Sequence, residues 1–376
     1  MNTAEYLNKW AISYKDDIIN NIMPFWMKYG LDKEHGGVYT CVNRDGSLMD
    51  TTKSVWFQGR FGFIAAYAYN NIEKNPQWLA ASKSCIDFIE AHCFDTDGHM
   101  FFEVTEDGVP LRKRRYVFSE GFAAIAMAEY SLATGEKEYA EKALEIFKRT
   151  QHFLDTPGML EPKYLPAMSS RGHSITMILI NTASRIRMVI DDPVLTEQID
   201  ASIAALRKYF IHPEFKALLE MVGPNGEFID TCNGRVINPG HCIETAWFIM
   251  EEAKYRNWDK DLLQLALQIL DWSWEWGWDK EFGGIINFRD CRNLPAQDYS
   301  QDMKFWWPQT ETIIATLYAY QATGDEKYIQ MHKQISDWTY THFPDKENGM
   351  VIFTVMVLWH NQLREISLKV LSIYLA

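Results

Sequence analysis

Apolar residues recur at spacings of three and four along most of this chain, which is the pattern of amphipathic α-helices. The pattern predicts helices over residues 5–27, 59–72, 78–92, 119–134, 139–153, 173–189, 195–209, 242–255, 259–276, 308–323 and 326–342. In the short connections 134–137 and 323–326, a glycine follows one helix and an acidic residue precedes the next. Glycine commonly ends a helix and an acidic residue commonly begins one, so we expect the helices to form hairpin pairs.

A second, longer kind of connection also recurs between the helices. Asp32-Lys-Glu-His-Gly-Gly-Val-Tyr39 returns as Asp279-Lys-Glu-Phe-Gly-Gly-Ile-Ile286. Weaker copies lie at residues 95–102, 224–228 and 345–349. Each copy pairs a glycine turn with a short strand-like run, which is typical of a β-hairpin.

Repeated helical hairpins bury their apolar faces only against one another. The repeat therefore predicts an all-α protein, an (α/α)-barrel with short β-hairpin loops gathered at one mouth, with a solenoid as the alternative. No shift in composition and no Pro- or Ser-rich linker divides the chain. We expect residues 1–376 to form a single domain.

Composition and charge narrow the possible partners. Aromatic residues make up 14% of the chain, more ring surface than a core needs, and aromatic walls suit sugar rings. The formal net charge of −13 argues against nucleic acid and anionic membranes as partners. No apolar run is long enough to span a bilayer, and no signal peptide is apparent. The six cysteines form no C-x-x-C pair, which favours free thiols and a cytoplasmic location.

The leading candidate for chemistry is the stretch Asn238-Pro-Gly-His-Cys-Ile-Glu244. His241 lies at a predicted helix start with Glu244 one turn further on, so the two side chains share a face. A titratable pair of this kind can transfer protons. Spacing alone favours a structural role, in which the two residues merely cap and solvate the helix.

Other polar residues lie at the starts of predicted inner helices. Arg60, after two aromatic residues, could stabilise an oxyanion or enediolate, and a structural ion pair is the alternative. Glu311 lies on an otherwise apolar face, where a carboxylate is costly to bury without a partner. Lys163, His173 and Asn181 could hydrogen-bond sugar hydroxyls or act as helix caps. We find no phosphate-binding loop, dinucleotide fingerprint or metal-ligand cluster in the sequence.

Three stretches together resemble the N-acylglucosamine 2-epimerase family: Trp56-Phe-Gln-Gly-Arg60, Pro239-Gly-His-Cys-Ile-Glu244 and Lys304-Phe-Trp-Trp-Pro-Gln-Thr-Glu311. The similarity runs in register from about residue 6 to about residue 345. It implies an (α/α)6-barrel, usually a homodimer, that interconverts N-acetylglucosamine and N-acetylmannosamine. In this family two histidines on opposite faces move the C2 proton of the ring-opened sugar through an enediolate. The resemblance implies no redox cofactor and no metal, and ATP only as an effector.

The resemblance also implies roles for individual residues. His241 matches the first catalytic histidine, Arg60 and Glu311 match charged active-site residues, and Glu244 matches the carboxylate beside the histidine. We assign substrate binding to Glu244, Trp56, Tyr116, Lys163, His173, Asn181 and Trp307. Three alternatives stay open: a cellobiose or mannose 2-epimerase or aldose–ketose isomerase of the same superfamily, a non-catalytic carbohydrate-binding relative, and a glycoside hydrolase.

The C-terminal tail departs from the family from about residue 346. The second catalytic histidine of the family lies in a Phe-His-Ile-Pro-Arg motif, which this sequence lacks. The tail can be reread in a shifted reading frame, in which each new codon takes the last base of one codon and the first two bases of the next. With suitable synonymous codons, the reread tail contains a hairpin and ends in that motif. We expect a frameshift product with an aberrant last hairpin, in which His360 is not the second base. A genuine divergent tail is the alternative. For the chain as written, we expect impaired folding and little or no epimerisation.

Overall fold

The computed structural model describes residues 2–113, 116–161, 168–345, 347, 350–351, 354–357 and 363–366. Its helices are α1 (Thr3–Asp17), α2 (Met23–Tyr29), α3 (Val55–Asn71), α4 (Pro76–His92), α5 (Phe118–Thr134), α6 (Lys137–Asp155), α7 (His173–Arg187), α8 (Pro193–Ala205), α9 (Pro239–Tyr255), α10 (Lys260–Gly277), α11 (Trp306–Thr323) and α12 (Glu326–His342). Every predicted helix is present. The π-helical turns Ile18–Ile22 and Leu206–Phe210, which periodicity did not predict, follow α1 and α8.

The helices form two concentric layers. Helices α3, α5, α7, α9 and α11 form the described part of an inner ring, in which α3 contacts α5, α5 contacts α7, α7 contacts α9 and α9 contacts α11. Each also packs against the outer helix that follows it in the chain. Gly135 and Gly324 end α5 and α11 in the left-handed conformation, with φ of 78° and 69°. This confirms the predicted glycine stops between paired helices.

The first and last outer helices meet and close the ring. The Tyr6 hydroxyl of α1 lies 2.7 Å from Nδ1 of His332 in α12, and the Tyr14 hydroxyl lies 3.2 Å from Ser336 Oγ. Burial lowers the pKa of His332 to about 4, so the ring is neutral at physiological pH. Because α1 and α12 are in contact, the predicted barrel is confirmed and the solenoid alternative is wrong.

Short antiparallel strands lie in the loops that lead into the inner helices and in the segment after α12. They are β1 (Cys41–Val42), β2 (Leu48–Asp50), β3 (Lys53–Ser54), β4 (Phe101–Val104), β5 (Pro110–Lys113), β6 (Arg171–Gly172), β7 (Ile211–His212), β8 (Ala217–Leu218), β9 (Met221–Val222), β10 (Val236–Ile237), β11 (Arg289–Asp290), β12 (Lys304–Phe305), β13 (Pro344–Asp345), β14 (Met350–Val351), β15 (Thr354–Val357) and β16 (Leu363–Ile366). The sheets are β1-β2, β3-β4-β5, β6-β9, β7-β8, β10-β11, β12-β15-β16 and β13-β14. The loops therefore gather at the mouth where the inner helices begin, as predicted.

The two strongest sequence repeats hold their inner helices in the same way. Gln58 of α3 accepts a hydrogen bond from the Val38 N–H (2.9 Å) and donates to the Val38 carbonyl (2.6 Å). Gln309 of α11 makes the same two bonds with Ile285, at 2.7 and 2.9 Å. Each glutamine satisfies both polar groups of one buried backbone residue, so the loop fixes where the helix begins.

A buried lysine accompanies each glutamine. Lys53 Nζ lies 2.7 Å from Asp32 Oδ2, and Lys304 Nζ lies 2.7 Å from Asp279 Oδ2. Although burial opposes ionisation, the Lys53 ammonium and backbone N–H groups hold the pKa of Asp32 below its usual value. A buried charge needs such a partner, so the aspartate and lysine of each repeat are retained as a pair.

Most of the tail lies outside the described residues. Of residues 346–376 the structure describes 347, 350–351, 354–357 and 363–366, the last three segments as strands. His360, the proposed frameshift and the aberrant last hairpin therefore concern residues that are largely not described. In the described part of the chain, no helix combines the length and the apolar character that a membrane span needs.

Candidate active site

The starts of α9 and α11 hold His241 against an aromatic ring. Asn238 caps α9, and its side-chain oxygen accepts the His241 backbone N–H at 3.2 Å. The Trp307 ring lies 5.3 Å from the His241 ring, between their centroids. A Cβ on Gly240 would come within 2.4 Å of the Trp307 ring. Only glycine permits this contact, which brings one wall of the site against the histidine.

The carboxylate bonded to His241 is Glu220, which the sequence patterns did not reveal. Glu220 Oε1 lies 2.9 Å from His241 Nδ1. Burial opposes a charged imidazolium, but the Glu220 carboxylate outweighs it and raises the pKa of His241. Burial likewise opposes ionisation of Glu220, but His241 and His173 hold its pKa far below the usual value. Glu220 is therefore an ionised acceptor next to the candidate base.

His173 braces the same carboxylate from the other side. It is the first residue of α7 and is fully buried. Its Nδ1 lies 3.4 Å from Glu220 Oε1, and its Nε2 lies 2.9 Å from Thr245 Oγ1. One ligand atom from each of His173, Glu220 and His241 lies within 4.8 Å of the other two. Both ring nitrogens of His173 therefore have neighbours inside the protein.

Three charged residues occupy equivalent places on the inner ring. Arg60, Glu244 and Glu311 are each the sixth residue of their helix, in α3, α9 and α11. Arg60 and Glu311 each follow the loop-binding glutamine of their helix by two residues. The repeated loops thus place an arginine and a glutamate at the same level of the barrel.

The two carboxyl groups are buried close to each other and to the arginine. Burial raises the pKa of Glu244 to about 7, although His241 and Arg60 oppose the rise. Burial and the charge of Glu244 raise the pKa of Glu311 well above its usual value. Glu311 Oε2 accepts the Trp247 Nε1–H at 2.6 Å, and its Oε1 is buried without a hydrogen-bond partner. At neutral pH the pair retains a proton and offers both a donor and an acceptor.

A second aromatic wall lies beside Arg60. The Trp56 ring lies 6.0 Å from Tyr116 and 5.1 Å from Phe118, between ring centroids. The Arg60 guanidinium lies 4.2 Å from the Phe122 ring and 5.8 Å from the Trp56 ring. The predicted substrate-binding residues Trp56 and Tyr116 are thus together, next to the predicted cation.

The remaining predicted site residues are less well placed by the structure. Asn181 is buried on α7, two turns beyond His173. Lys163 lies outside the described residues.

An open cavity of about 860 Å³ reaches Glu220 from the mouth of the barrel. It is lined by loop and helix-start residues, among them Ser170, Gly172, Ser174, Met221, Phe288 and Tyr299. Tyr299 at its edge is 91% exposed. Since the cavity opens among the hairpin loops, a small molecule can approach Glu220, the partner of His241, from this side.

A model of one protein family covers most of the chain. The family described as N-acylglucosamine 2-epimerase (GlcNAc 2-epimerase) matches residues 37–365. This chain belongs to that family. N-acylglucosamine 2-epimerase from Rattus norvegicus is 30% identical over 344 residues, which cover 88% of this chain and 81% of that protein. The family members are carbohydrate isomerases, as expected from the sequence motifs.

More distant relatives act on other sugars. Cellobiose 2-epimerase from Ruminococcus albus is 24% identical, with 89% of this chain and 87% of that protein covered. The structure of cellobiose 2-epimerase from Bacillus thermoamylovorans superposes with a TM-score of 0.82 at 20% identity, covering 93% of this chain and 92% of that one. This likeness supports the (α/α)6-barrel.

Proposed function

We propose that this chain is an N-acylglucosamine 2-epimerase that acts at C2 of ring-opened N-acetylglucosamine or N-acetylmannosamine, with His241 as the base. The observation that carries the proposal is the 2.9 Å bond between His241 Nδ1 and Glu220 Oε1. An ionised carboxylate only accepts hydrogen bonds, so Nδ1 carries the proton. The lone pair of the neutral ring then lies on Nε2, where it can accept the C2 proton.

The inner-ring charges suit the intermediate of this reaction. Removal of the C2 proton next to an aldehyde places negative charge on the aldehyde oxygen. The Arg60 cation and the proton retained by the Glu244–Glu311 pair are donors for such an oxyanion. Trp307 and Trp56 provide flat surfaces on which a sugar can lie. No redox step is needed, since the aldehyde itself acidifies the C2 proton, so we expect neither redox cofactor nor metal in the reaction, and ATP only as an effector.

We propose N-acetylated sugars as the substrates because the matching family and the 30% identical relative are both named N-acylglucosamine 2-epimerase. The cellobiose 2-epimerase is less similar, at 24% identity. A mannose or cellobiose 2-epimerase or an aldose–ketose isomerase is the second candidate, since the barrel is shared. Comparison of N-acetylmannosamine, mannose and cellobiose as substrates separates them. A homodimer in the cytoplasm, with no nucleic-acid or membrane partner, completes the proposal.

The proposal must also account for the second base of the reaction. His173 is a poor candidate, because Glu220 and Thr245 engage its two ring nitrogens. The tail beyond Asp345 is, in this proposal, frameshifted, and the reread Phe-His-Ile-Pro-Arg supplies the second histidine. A chain with His241 alone would return the proton to the face from which it came. It would exchange the C2 proton of one epimer with solvent and would not invert that carbon.

Proton exchange at C2 tests the function and the tail together. N-acetylglucosamine and N-acetylmannosamine are each incubated in deuterated water with this chain and with a chain carrying the reread tail, and the C2 proton is followed by NMR. We expect this chain to exchange one epimer without inversion, and the reread chain to exchange both and interconvert them. His241→Gln is the control and should exchange neither. A folded reread chain that leaves both sugars unchanged would refute the proposed function, and inversion by this chain as written would refute the frameshift.

A further inference from the structure

Three ligand atoms converge beneath the proposed base. His241 Nδ1 and His173 Nδ1 lie 2.9 and 3.4 Å from the same oxygen, Oε1 of Glu220. The three residues come from separate segments: the start of α9, the start of α7, and the turn between β8 and β9. Backbone bonds fix that turn, since the Glu220 carbonyl accepts the His173 N–H at 3.0 Å and the Glu220 N–H donates to the Val236 carbonyl at 3.1 Å. The cluster is therefore preorganised.

The hydrogen bonds of Thr245 define what His173 presents to this cluster. The Thr245 hydroxyl has one proton, which it donates to the His241 carbonyl at 2.8 Å. It must therefore accept from His173 Nε2, 2.9 Å away. The proton on Nε2 leaves Nδ1, 3.4 Å from the Glu220 carboxylate, as the nitrogen of His173 that can bind a cation. A cation between Nδ1 and the carboxylate oxygen would be attracted by both atoms.

We propose that His173, Glu220 and His241 form a binding site for a divalent transition metal such as Zn²⁺. Tetrahedral Zn²⁺ with N and O ligands at about 2.0–2.2 Å separates those ligand atoms by about 3.3–3.5 Å. The 3.4 Å between His173 and Glu220 already matches this separation, and the 2.9 Å to His241 needs a small opening. Two imidazoles and one carboxylate suit Zn²⁺ or Co²⁺ better than Mg²⁺ or Ca²⁺.

The surroundings of the cluster also fit a metal site. Thr245 holds the outer nitrogen of His173, which fixes the tautomer that a metal ligand requires. The Glu220 and His241 side chains are 19% and 29% exposed. Glu220 also lines the cavity that opens at the mouth, so an ion has a path to the site and a water can complete its coordination.

Metal at this position switches off the base, a consequence that rests on the proposed function. A metal on Nδ1 of His241 leaves the remaining ring proton on Nε2, so the lone pair that takes the C2 proton is lost. The metal and the catalytic hydrogen bond to Glu220 therefore exclude each other. The ion is an inhibitor and takes no part in the reaction.

Binding is measured without substrate, so it does not depend on activity. The full chain, first freed of metal with a chelator, is titrated with Zn²⁺ by calorimetry and with Co²⁺ by visible absorption. We expect one ion per chain and the absorption of tetrahedral Co²⁺. Glu220→Gln and His173→Gln should each weaken binding by at least the roughly 10- to 100-fold that loss of an outer-shell partner costs. Absence of binding by the unmodified chain would overturn the proposal.

A second histidine–carboxylate pair provides the matched control. His212 Nδ1 lies 3.0 Å from Glu214 Oε1. Among the residues that the structure describes, a third metal-binding side chain joins such a pair only at the cluster of His173, Glu220 and His241. Glu214→Gln should therefore leave Zn²⁺ and Co²⁺ binding unchanged. If Glu214→Gln weakens binding and Glu220→Gln does not, the ion binds elsewhere and the site is refuted.

Measurements of C2 exchange in the presence of Zn²⁺ distinguish failure of the metal site from failure of the proposed function. If C2 exchange occurs and Zn²⁺ stops it reversibly, with a chelator restoring the rate, both the function and the site stand. If the ion binds as expected but neither this chain nor the chain with the reread tail exchanges the C2 proton, the proposed function is refuted and the metal site remains. If exchange proceeds at the same rate with saturating Zn²⁺, the inhibitory site is refuted while the epimerase proposal survives.

Discussion

Two clusters of one arginine and two glutamates lie on the inner ring, one towards each end of its helices. At the mouth, where the helices begin, these are Arg60, Glu244 and Glu311, and in the C-terminal halves of the helices they are Arg185, Glu129 and Glu251. The two clusters have the same composition and formal charge. They differ in how their polar atoms are satisfied.

At the far end the protein supplies partners for the carboxylates, although Arg185 Nε is buried without one. Arg185 Nη2 lies 2.9 Å from Glu251 Oε1, and Asn70 Nδ2 donates to Glu129 Oε1 at 2.7 Å. Burial opposes the charge on Arg185, but Glu251 and other neighbours outweigh it and raise the pKa of the guanidinium. A charge held by a direct partner has little left to offer a ligand.

At the mouth the carboxyl groups are left for something else to complete. Glu311 Oε1 is buried without a partner, and the pKa of Glu244 is raised to about 7. Native proteins leave few buried polar atoms unsatisfied, and those exceptions call for a reason. Residue types alone therefore do not separate a structural cluster from a site, whereas the partners of the carboxyl groups do.

The largest effect is expected from Glu311→Gln at the mouth. The variant keeps the size of the side chain, a hydrogen-bond donor and an acceptor for Trp247, but its amide can neither ionise nor transfer a proton to the substrate. C2 exchange should fall by about 10²–10³-fold, as for loss of one group that transfers a proton in the reaction. The melting temperature should hold or rise, since a buried ionisable group has been removed. An equal loss of exchange and of stability would place Glu311 with the far-end residues.

Glu220→Gln should produce the next largest effect and shift the pH profile. Exchange by the unmodified chain should rise with pH through the raised pKa of His241, because only the neutral ring is a base. The Gln side chain of the variant still accepts the Nδ1–H of His241 but has no negative charge to stabilise the imidazolium. The pKa of His241 should therefore fall, and the acidic limb of the pH profile should move to lower pH. Glu244 and Arg60, the other charges facing His241, are unchanged. The maximal rate should fall about 10- to 100-fold.

The pH profile decides between a positioning and a merely structural role for Glu220. If the maximal rate drops and the acidic limb stays in place, Glu220 shapes the loop only. Asp at the same position is a useful rescue, because Glu220→Asp retains the charge. It should restore the acidic limb more fully than it restores the rate.

Much of this fold and part of the site follow from local patterns in the sequence. Helix periodicity and glycine stops are local, and they predict the helices and their pairing. Arg60, Glu244 and Glu311 can be proposed as site residues from the sequence because each lies near a helix start in a recognisable motif. The contact between Tyr6 and His332, which closes the ring, joins residues 326 positions apart, and no local pattern predicts it.

Glu220 shows why the rest of the site could not be predicted. It lies in a turn between two-residue strands, 21 positions before His241. No spacing rule links a loop carboxylate to a helix start at that distance. Its place depends on the register of β9 against β6, where Met221 pairs with Gly172 and Val222 with Arg171. The same register sets His173 beside it, so tertiary structure creates the pair.

A smaller effect, confined to stability, is expected from Glu251→Gln at the far end. Arg185 keeps a neutral acceptor but loses its charged partner. The two side chains are 17% and 24% exposed, so water screens part of the loss, and we expect destabilisation of about 1 kcal/mol. Urea unfolding measures it. C2 exchange per folded molecule should not change; a loss there would break the distinction between the two ends.

The smallest effect is expected from Glu129→Gln, and its sign is opposite. Burial raises the pKa of Glu129 above its usual value. When the pKa of a group is higher in the folded than in the unfolded state, its protonation stabilises the fold below the unfolded-state pKa. That stability is lost as the pH rises through the folded-state pKa, so the ionised Glu129 side chain destabilises the fold at about pH 7. Gln mimics the protonated form and keeps the bond from Asn70, so the variant should gain about 0.5 kcal/mol at neutral pH. The gain should vanish near about pH 4, where Glu129 itself is protonated, and urea unfolding at both pH values tests this. Destabilisation at neutral pH would mean that the Glu129 charge is needed by Arg185, and that the far end is held by two ion pairs.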